Sequence, residues 1–177
     1  DISYNLLIIV LVFFGYALLG FLDDFMKIRF RNNKGLSILF KLLCQTIIAL
    51  VFFYIYISNG GSPTLEITSL GLDIDLRWFY GLFILFLLVG TSNAVNITDG
   101  LDGLAGSLSF IAFMTLGIIT YNTGWLEGYE EVALFCFSIS GSLLGFLMFN
   151  LNPAKVFMGD TGSLALGATM GSIAILT

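Results

Sequence analysis

The sequence predicts an all-α fold, a polytopic transmembrane helix bundle, and three observations carry that expectation. Of 177 residues, 58% are hydrophobic and only 11% are charged, against about 25% charged in soluble domains. Six apolar runs approach the roughly 20 residues that a bilayer-crossing helix needs. None of them alternates apolar and polar residues as a membrane barrel strand does. No proline-rich linker, charge run or repeat divides them, so residues 1–177 read as one integral membrane domain. The chain begins at Asp1 and stops at Thr177 inside an apolar run, and it reads as a fragment of a longer protein, truncated at both ends.

The runs are Ile2–Leu22, Leu36–Ile57, Leu76–Val95, Ala105–Tyr121, Val132–Phe149 and Leu164–Thr177. Most are apolar all round, as lipid-embedded helices are. The first connection, Lys27-Ile-Arg-Phe-Arg-Asn-Asn-Lys34, together with Lys41 holds five of the seven Lys and Arg, so the positive-inside rule makes it cytoplasmic. The second, Ser58 to Asp75, is rich in Gly, Ser and Thr. Its pieces near 64–75 alternate and predict a short external β-hairpin. Counting crossings then puts Asn93–Leu104 inside, Tyr121–Glu131 outside and Asn150–Ser163 inside. Asp23, Asp24, Asp99, Asp102 and Asp160 all fall on the cytoplasmic face by this count.

Composition also excludes functions. Twelve acidic and seven basic residues leave no basic stripe for nucleic acid. There is no histidine, which removes the usual general base and the commonest transition-metal ligand. Cys44 and Cys136 lie inside apolar runs and read as packing residues.

Three polar stretches interrupt the apolar pattern. Gly20-Phe-Leu-Asp-Asp-Phe-Met-Lys27 closes the first run. Its adjacent carboxylates repel, and Lys27 lies one helical turn beyond both. Asn93-Ala-Val-Asn-Ile-Thr-Asp-Gly-Leu-Asp-Gly-Leu104 places two amides, a hydroxyl and two carboxylates among glycines, more polarity than a helix cap needs. Asp99 and Asp102 share a face if that stretch is helical. Asn152-Pro-Ala-Lys-Val-Phe-Met-Gly-Asp-Thr-Gly-Ser163 opens the last run with Asp160 and a helix N-terminus suited to an anion. Five carboxylates without His or Cys make a hard-oxygen site that suits Mg²⁺. Lys27, Lys34, Lys41 and Lys155 are available to neutralise phosphates. Acids at helix ends and in loops suit this chemistry better than an ion-coupled transporter, whose carboxylates line the midplane.

These three stretches resemble the signature motifs of the polyprenyl-phosphate N-acetylhexosamine-1-phosphate transferases, glycosyltransferase family 4. The Lys after Asp-Asp, the Lys34-Gly-Leu-Ser sequence and Thr-Asp-Gly-Leu-Asp-Gly favour the branch acting in peptidoglycan synthesis over a sister enzyme passing GlcNAc-1-phosphate to the same lipid. The resemblance implies transfer of phospho-MurNAc-pentapeptide from UDP-MurNAc-pentapeptide to undecaprenyl phosphate, giving the first lipid intermediate and UMP, with Mg²⁺. It implies Asp23, Asp24 and Asp160 as catalytic, with Asp160 the metal ligand. It further implies substrate contacts from Asn93, Asn96, Asp99, Asp102, Gly159 and Lys27, and stacking of Phe157 on uracil. A homodimer in the bacterial cytoplasmic membrane, facing inward, and a ten-helix bundle of which about six helices are present, follow from the same likeness. The family's His-rich motif in a later cytoplasmic loop is absent, as truncation explains.

Overall fold

The computed structural model describes residues 3–31, 35–67, 71–123 and 129–177. Lys34, Glu127 and residues 68–70 of the expected hairpin lie outside these. Six helices form in chain order: α1 (Tyr4–Phe30), α2 (Ile38–Ser58), α3 (Phe79–Thr98), α4 (Leu104–Thr123), α5 (Tyr129–Asn150) and α6 (Gly159–Leu176). Ser3 and Ser37 start α1 and α2, their hydroxyls accepting the Leu6 and Phe40 N–H groups. The hairpin is present between α2 and α3 as β1 (Thr64–Ile67) and β2 (Leu72–Asp75). The two strands are antiparallel, with Thr64 opposite Asp75 and Ile67 opposite Leu72.

Two boundaries differ from the sequence expectation. The helix expected to close near Leu22 runs past Asp23 and Asp24 to Phe30. Lys27 and Arg29 in its last turn suit the negative end of the helix dipole, and Arg31 ends it in the left-handed region at φ 49°. The third helix reaches Thr98 rather than Val95, and so carries Asn93 and Asn96 on its final turns.

Among the described residues, α1 to α5 are long and apolar enough to cross a membrane, and between 17% and 33% of each apolar window is buried in the bundle. The remainder, including Phe14, Leu18, Tyr54, Phe86 and Met148, is exposed apolar surface that only lipid would solvate at low cost. The chain is a multi-pass membrane protein. The sixth expected span behaves differently. Helix α6 is not among the five, and it is the most enclosed, with Ser163, Leu164, Ala165, Gly167, Ala168 and Gly171 all buried. Protein surrounds it where lipid surrounds the others, so it needs close-packing residues more than greasy ones.

Helix α6 packs mainly on α1 and α3, and glycines set both approaches. A Cβ on Gly20 of α1 would run into the Asp160 carbonyl, and one on Gly167 of α6 would run into the Thr91 carbonyl of α3. Because successive helices alternate in direction, the ends of α1, α3 and α5 meet the starts of α2, α4 and α6 at one end of the bundle. The hairpin occupies the other. A Gly20→Ala exchange should lower stability by about 1–3 kcal/mol through overpacking. Gly141→Ala, with nothing within 4 Å of the added carbon, should be neutral. Thermal unfolding in detergent distinguishes the two.

Candidate functional site

Close contact at Gly20 delivers the next turn of α1 to the start of α6. Asp23, Asp24 and Asp160 each offer a carboxylate oxygen, and these atoms lie within 4.8 Å of one another. Asp23 is 1% exposed, so its charge must be compensated inside the protein. Its Oδ1 accepts the Leu36 N–H at 2.8 Å. Gly35, at φ 52°, leaves room for that bond, since a Cβ there would sit 2.6 Å from the same oxygen. The other oxygen, Oδ2, has no backbone or neutral side-chain donor among the described residues. Its compensation is electrostatic, from Lys27 Nζ at 2.6 Å and Lys41 Nζ at 3.4 Å.

Lys27 Nζ touches all three carboxylates, adding Asp160 Oδ2 at 3.2 Å and Asp24 Oδ1 at 3.5 Å. Lys41, one turn into α2, donates to Asp160 Oδ2 at 2.6 Å. Asn96 donates to the other Asp160 oxygen at 2.9 Å and also to Ser163 Oγ. Burial pushes the Asp160 carboxyl up, but the bonds from Lys41 and Asn96 outweigh it and hold it well below the usual carboxylate range. Three negative charges thus face two positive ones.

Asp24 does something the sequence did not suggest. Its Oδ2 accepts both the N–H and the hydroxyl of Thr161, at 3.0 and 2.9 Å. The N-terminus of α6, expected to seat a ligand's phosphate, therefore holds a carboxylate of the protein itself, an anion that the helix dipole favours equally well. Gly159, at φ 65°, leaves space for it, because a Cβ would lie 2.7 Å from Asp24 Oδ2.

The middle stretch splits among several partners. Asn96 joins the carboxylates as described, whereas Asn93 donates to Gln45 Oε1 on α2 and to the Val89 carbonyl, both at 2.8 Å. Asp99 and Asp102 lie in the turn after α3 rather than on a helical face. Burial raises the Asp99 carboxyl above its ordinary value, a hydrogen bond with the Gly159 backbone opposes this, and the charges of Asp160 and Asp24 add to it. Asp99 therefore borders the cluster. Asp102 is exposed, and its Oδ2 accepts from Asn152 Nδ2 at 3.1 Å and from the Ala154 N–H at 3.0 Å. It fastens the α5–α6 loop, which carries Lys155 and the 73% exposed Phe157. Asn150 fastens the same loop from inside, accepting from the Gly103 N–H and donating to the Val156 carbonyl.

Sequence reasoning named Lys41 only as a phosphate neutraliser, and it missed Gln45, Thr161 and Ser163. Lys41 and Gln45 are spaced i,i+4 on α2, the spacing of one helix face, and that was the available signal. Thr161 and Ser163 carried no signal beyond proximity to Asp160.

Residues 6–177 match glycosyl transferase family 4. A phospho-N-acetylmuramoyl-pentapeptide-transferase of Listeria monocytogenes serotype 4b is 52% identical over 171 residues, covering 97% of this chain and 51% of the relative. Proteins of the same name from Geobacillus thermodenitrificans and Oceanobacillus iheyensis are 47% and 48% identical, each over 99% of this chain and 53% of the relative. The chain spans about half the length of the curated relatives it matches.

Asp102→Ala removes the two bonds that Asp102 accepts from the α5–α6 loop. Hydrogen exchange at the Ala154 amide should accelerate about fivefold or more, while exchange along α6 stays unchanged; mass spectrometry of exchanged peptides reads both.

Proposed function

Because this chain belongs to glycosyl transferase family 4, we propose that it carries the catalytic carboxylates of a phospho-N-acetylmuramoyl-pentapeptide transferase of peptidoglycan synthesis. The observation that carries this reading is the meeting of Asp23, Asp24 and Asp160 with Lys27 at one end of a membrane bundle. A nucleotide-linked substrate reaches such a site from water while a lipid-borne phosphate reaches it from the bilayer.

In this reading an oxygen of undecaprenyl phosphate attacks the β-phosphorus of UDP-MurNAc-pentapeptide. The bond from that phosphorus to the bridging oxygen breaks, UMP leaves with the electron pair, and a lipid-linked pyrophosphate forms. A phosphate monoester has a second pKa near 6, so the acceptor is mostly a dianion at neutral pH and gains little from a general base. The carboxylates and Lys27 then act by placement and charge balance, as phosphoryl transfer generally requires.

The donor set fits Mg²⁺. It is all hard oxygen, and among the described residues the buried Asp23 Oδ2 meets only the Lys27 and Lys41 ammonium groups. Asp160 would hold the ion beside Asp23 and Asp24, where it would neutralise charge on the substrate pyrophosphate. Asn96 and Asp99 border the place for the nucleotide, and Phe157 is exposed for stacking. Asn93 would serve that place indirectly, through Gln45, Gly159 by leaving room for Asp24, and Asp102 by holding the loop. The basic loop supports a cytoplasmic orientation; the bacterial inner membrane and a homodimer belong to the same reading.

Full-length protein should convert UDP-MurNAc-pentapeptide and leave UDP-GlcNAc unused; the reverse preference would assign it to the sister activity. Asp23→Asn and Asp160→Asn should each lower kcat by about a hundredfold or more, and a sugar-phosphorylated Asp23 trapped during turnover would overturn direct attack. Since Lys27 Nζ contacts oxygens that a divalent cation would use, Lys27→Met should tighten Mn²⁺ binding about tenfold in electron paramagnetic resonance titrations without substrate. Arg77→Gln, at the opposite end of the bundle, should leave that affinity unchanged.

A further inference from the structure

We infer that the buried Gln45 and the half-buried Asn93 form an amide clamp between α2 and α3 that positions Lys41 and Asn96 on Asp160, so that Gln45 and Asn93 are positioning residues for the proposed transfer. The inference rests on that transferase reading for its consequence and on side-chain geometry for its existence.

Gln45 lies one helical turn from Lys41 on α2, and Asn93 lies one turn from Asn96 on α3, spacings that put each pair on one face. The outer pair grips a single carboxylate from two sides, Lys41 Nζ on Asp160 Oδ2 at 2.6 Å and Asn96 Nδ2 on Oδ1 at 2.9 Å. The inner pair joins the two helices directly, Asn93 Nδ2 donating to Gln45 Oε1 at 2.8 Å. Helix α1 is tied to the same turn, since the buried Tyr16 hydroxyl donates to the Gln45 backbone carbonyl at 3.2 Å.

The clamp is costly by itself. Gln45 is fully buried, and its Nε2 has no hydrogen-bond partner among the described residues. Leucine or methionine would fill similar space without stranding a donor. What the amide adds is direction. Apolar side chains between membrane helices tolerate small rotations and slips, whereas one hydrogen bond between fixed positions admits a single register. With that register set, the next turn of each helix points its polar end at Asp160.

Gln45→Met in the full-length protein keeps the volume and removes the amide. Its thermal midpoint should hold or rise, kcat should fall about tenfold, and KM for both substrates should stay within about twofold. In a Lys41→Met, Asn96→Leu background the same exchange should lower kcat no further, because the clamp acts through those two residues. Mn²⁺ affinity of the substrate-free protein gives a readout independent of turnover. Gln45→Met should tighten it about threefold by freeing Lys41 from Asp160, and should have no effect once Lys41 is Met. Asn93→Leu breaks the same bond from α3 and serves if Gln45→Met fails to fold. A folded Gln45→Met protein with wild-type kcat and Mn²⁺ affinity, or losses that multiply independently of Lys41 and Asn96, would overturn the clamp. Wild-type protein inactive on UDP-MurNAc-pentapeptide would instead overturn the transferase reading, with the Mn²⁺ cycle still deciding the clamp.

Discussion

Backbone contact between α1 and α6 at Gly20 is the constraint on which the rest of the site depends. Lipid offers no hydrophobic force to push membrane helices together, so close approach requires small residues at the crossing. With the Gly20 Cα against the Asp160 peptide, the following turn of α1 overlaps the first turn of α6. Asp24 then reaches the Thr161 N–H, and Asp23 faces Asp160. Gly167 repeats the device against Thr91 and holds α6 to α3, whose last turns supply Asn96. A larger residue at either crossing would separate carboxylates whose oxygens now lie within 4.8 Å of one another.

Proximity brings an electrostatic cost that the fold must offset. Two unit charges about 4 Å apart interact by roughly 4 kcal/mol at an effective dielectric of 20, so three mutually close carboxylates are strongly unfavourable alone. Lys27 and Lys41 reverse the sign by standing between them, and the Leu36 and Thr161 N–H groups add polar support. The balance is incomplete, with one negative charge in excess over the five groups. Helix dipole, backbone N–H groups and Asn96 spread that excess without removing it, so the three carboxylates could hold a cation. A site compensated fully by its own lysines would have less affinity to offer.

Much of this was legible in the sequence. Apolar runs of bilayer length gave the helices, the alternating pieces near 64–75 gave the hairpin, and counting crossings gathered Asp23, Asp24, Asp99, Asp102 and Asp160 at one end. What stayed hidden is what depends on partners far along the chain. Helix α1 passes its carboxylates because Lys27 and Arg29 favour its end, a local signal masked by the drop in hydropathy at Asp23. The α6 N-terminus looked open to a ligand because nothing in residues 159–163 reveals that Asp24 sits on Thr161, 137 residues apart. Gln45 looked like one polar residue in an apolar run, and only its bond to Asn93 on another helix gives it a meaning.

The stretch from Asn93 to Gly103 illustrates why a motif's residues need not share one task. It spans the last turns of α3 and the turn into α4, so its side chains leave a curving backbone in different directions. Asn93 points to α2, Asn96 to α6, Asp99 to the Gly159 backbone and Asp102 to the α5–α6 loop. Gly103, at φ 76°, takes a hydrogen bond from its own N–H to Asn150 on α5. Each contact reaches a different element, and together they fix the elements that border the carboxylates. The polarity of this segment therefore holds the frame around the carboxylates. Asn96 touches Asp160 directly. Asn93 and Asp102 hold the parts around it.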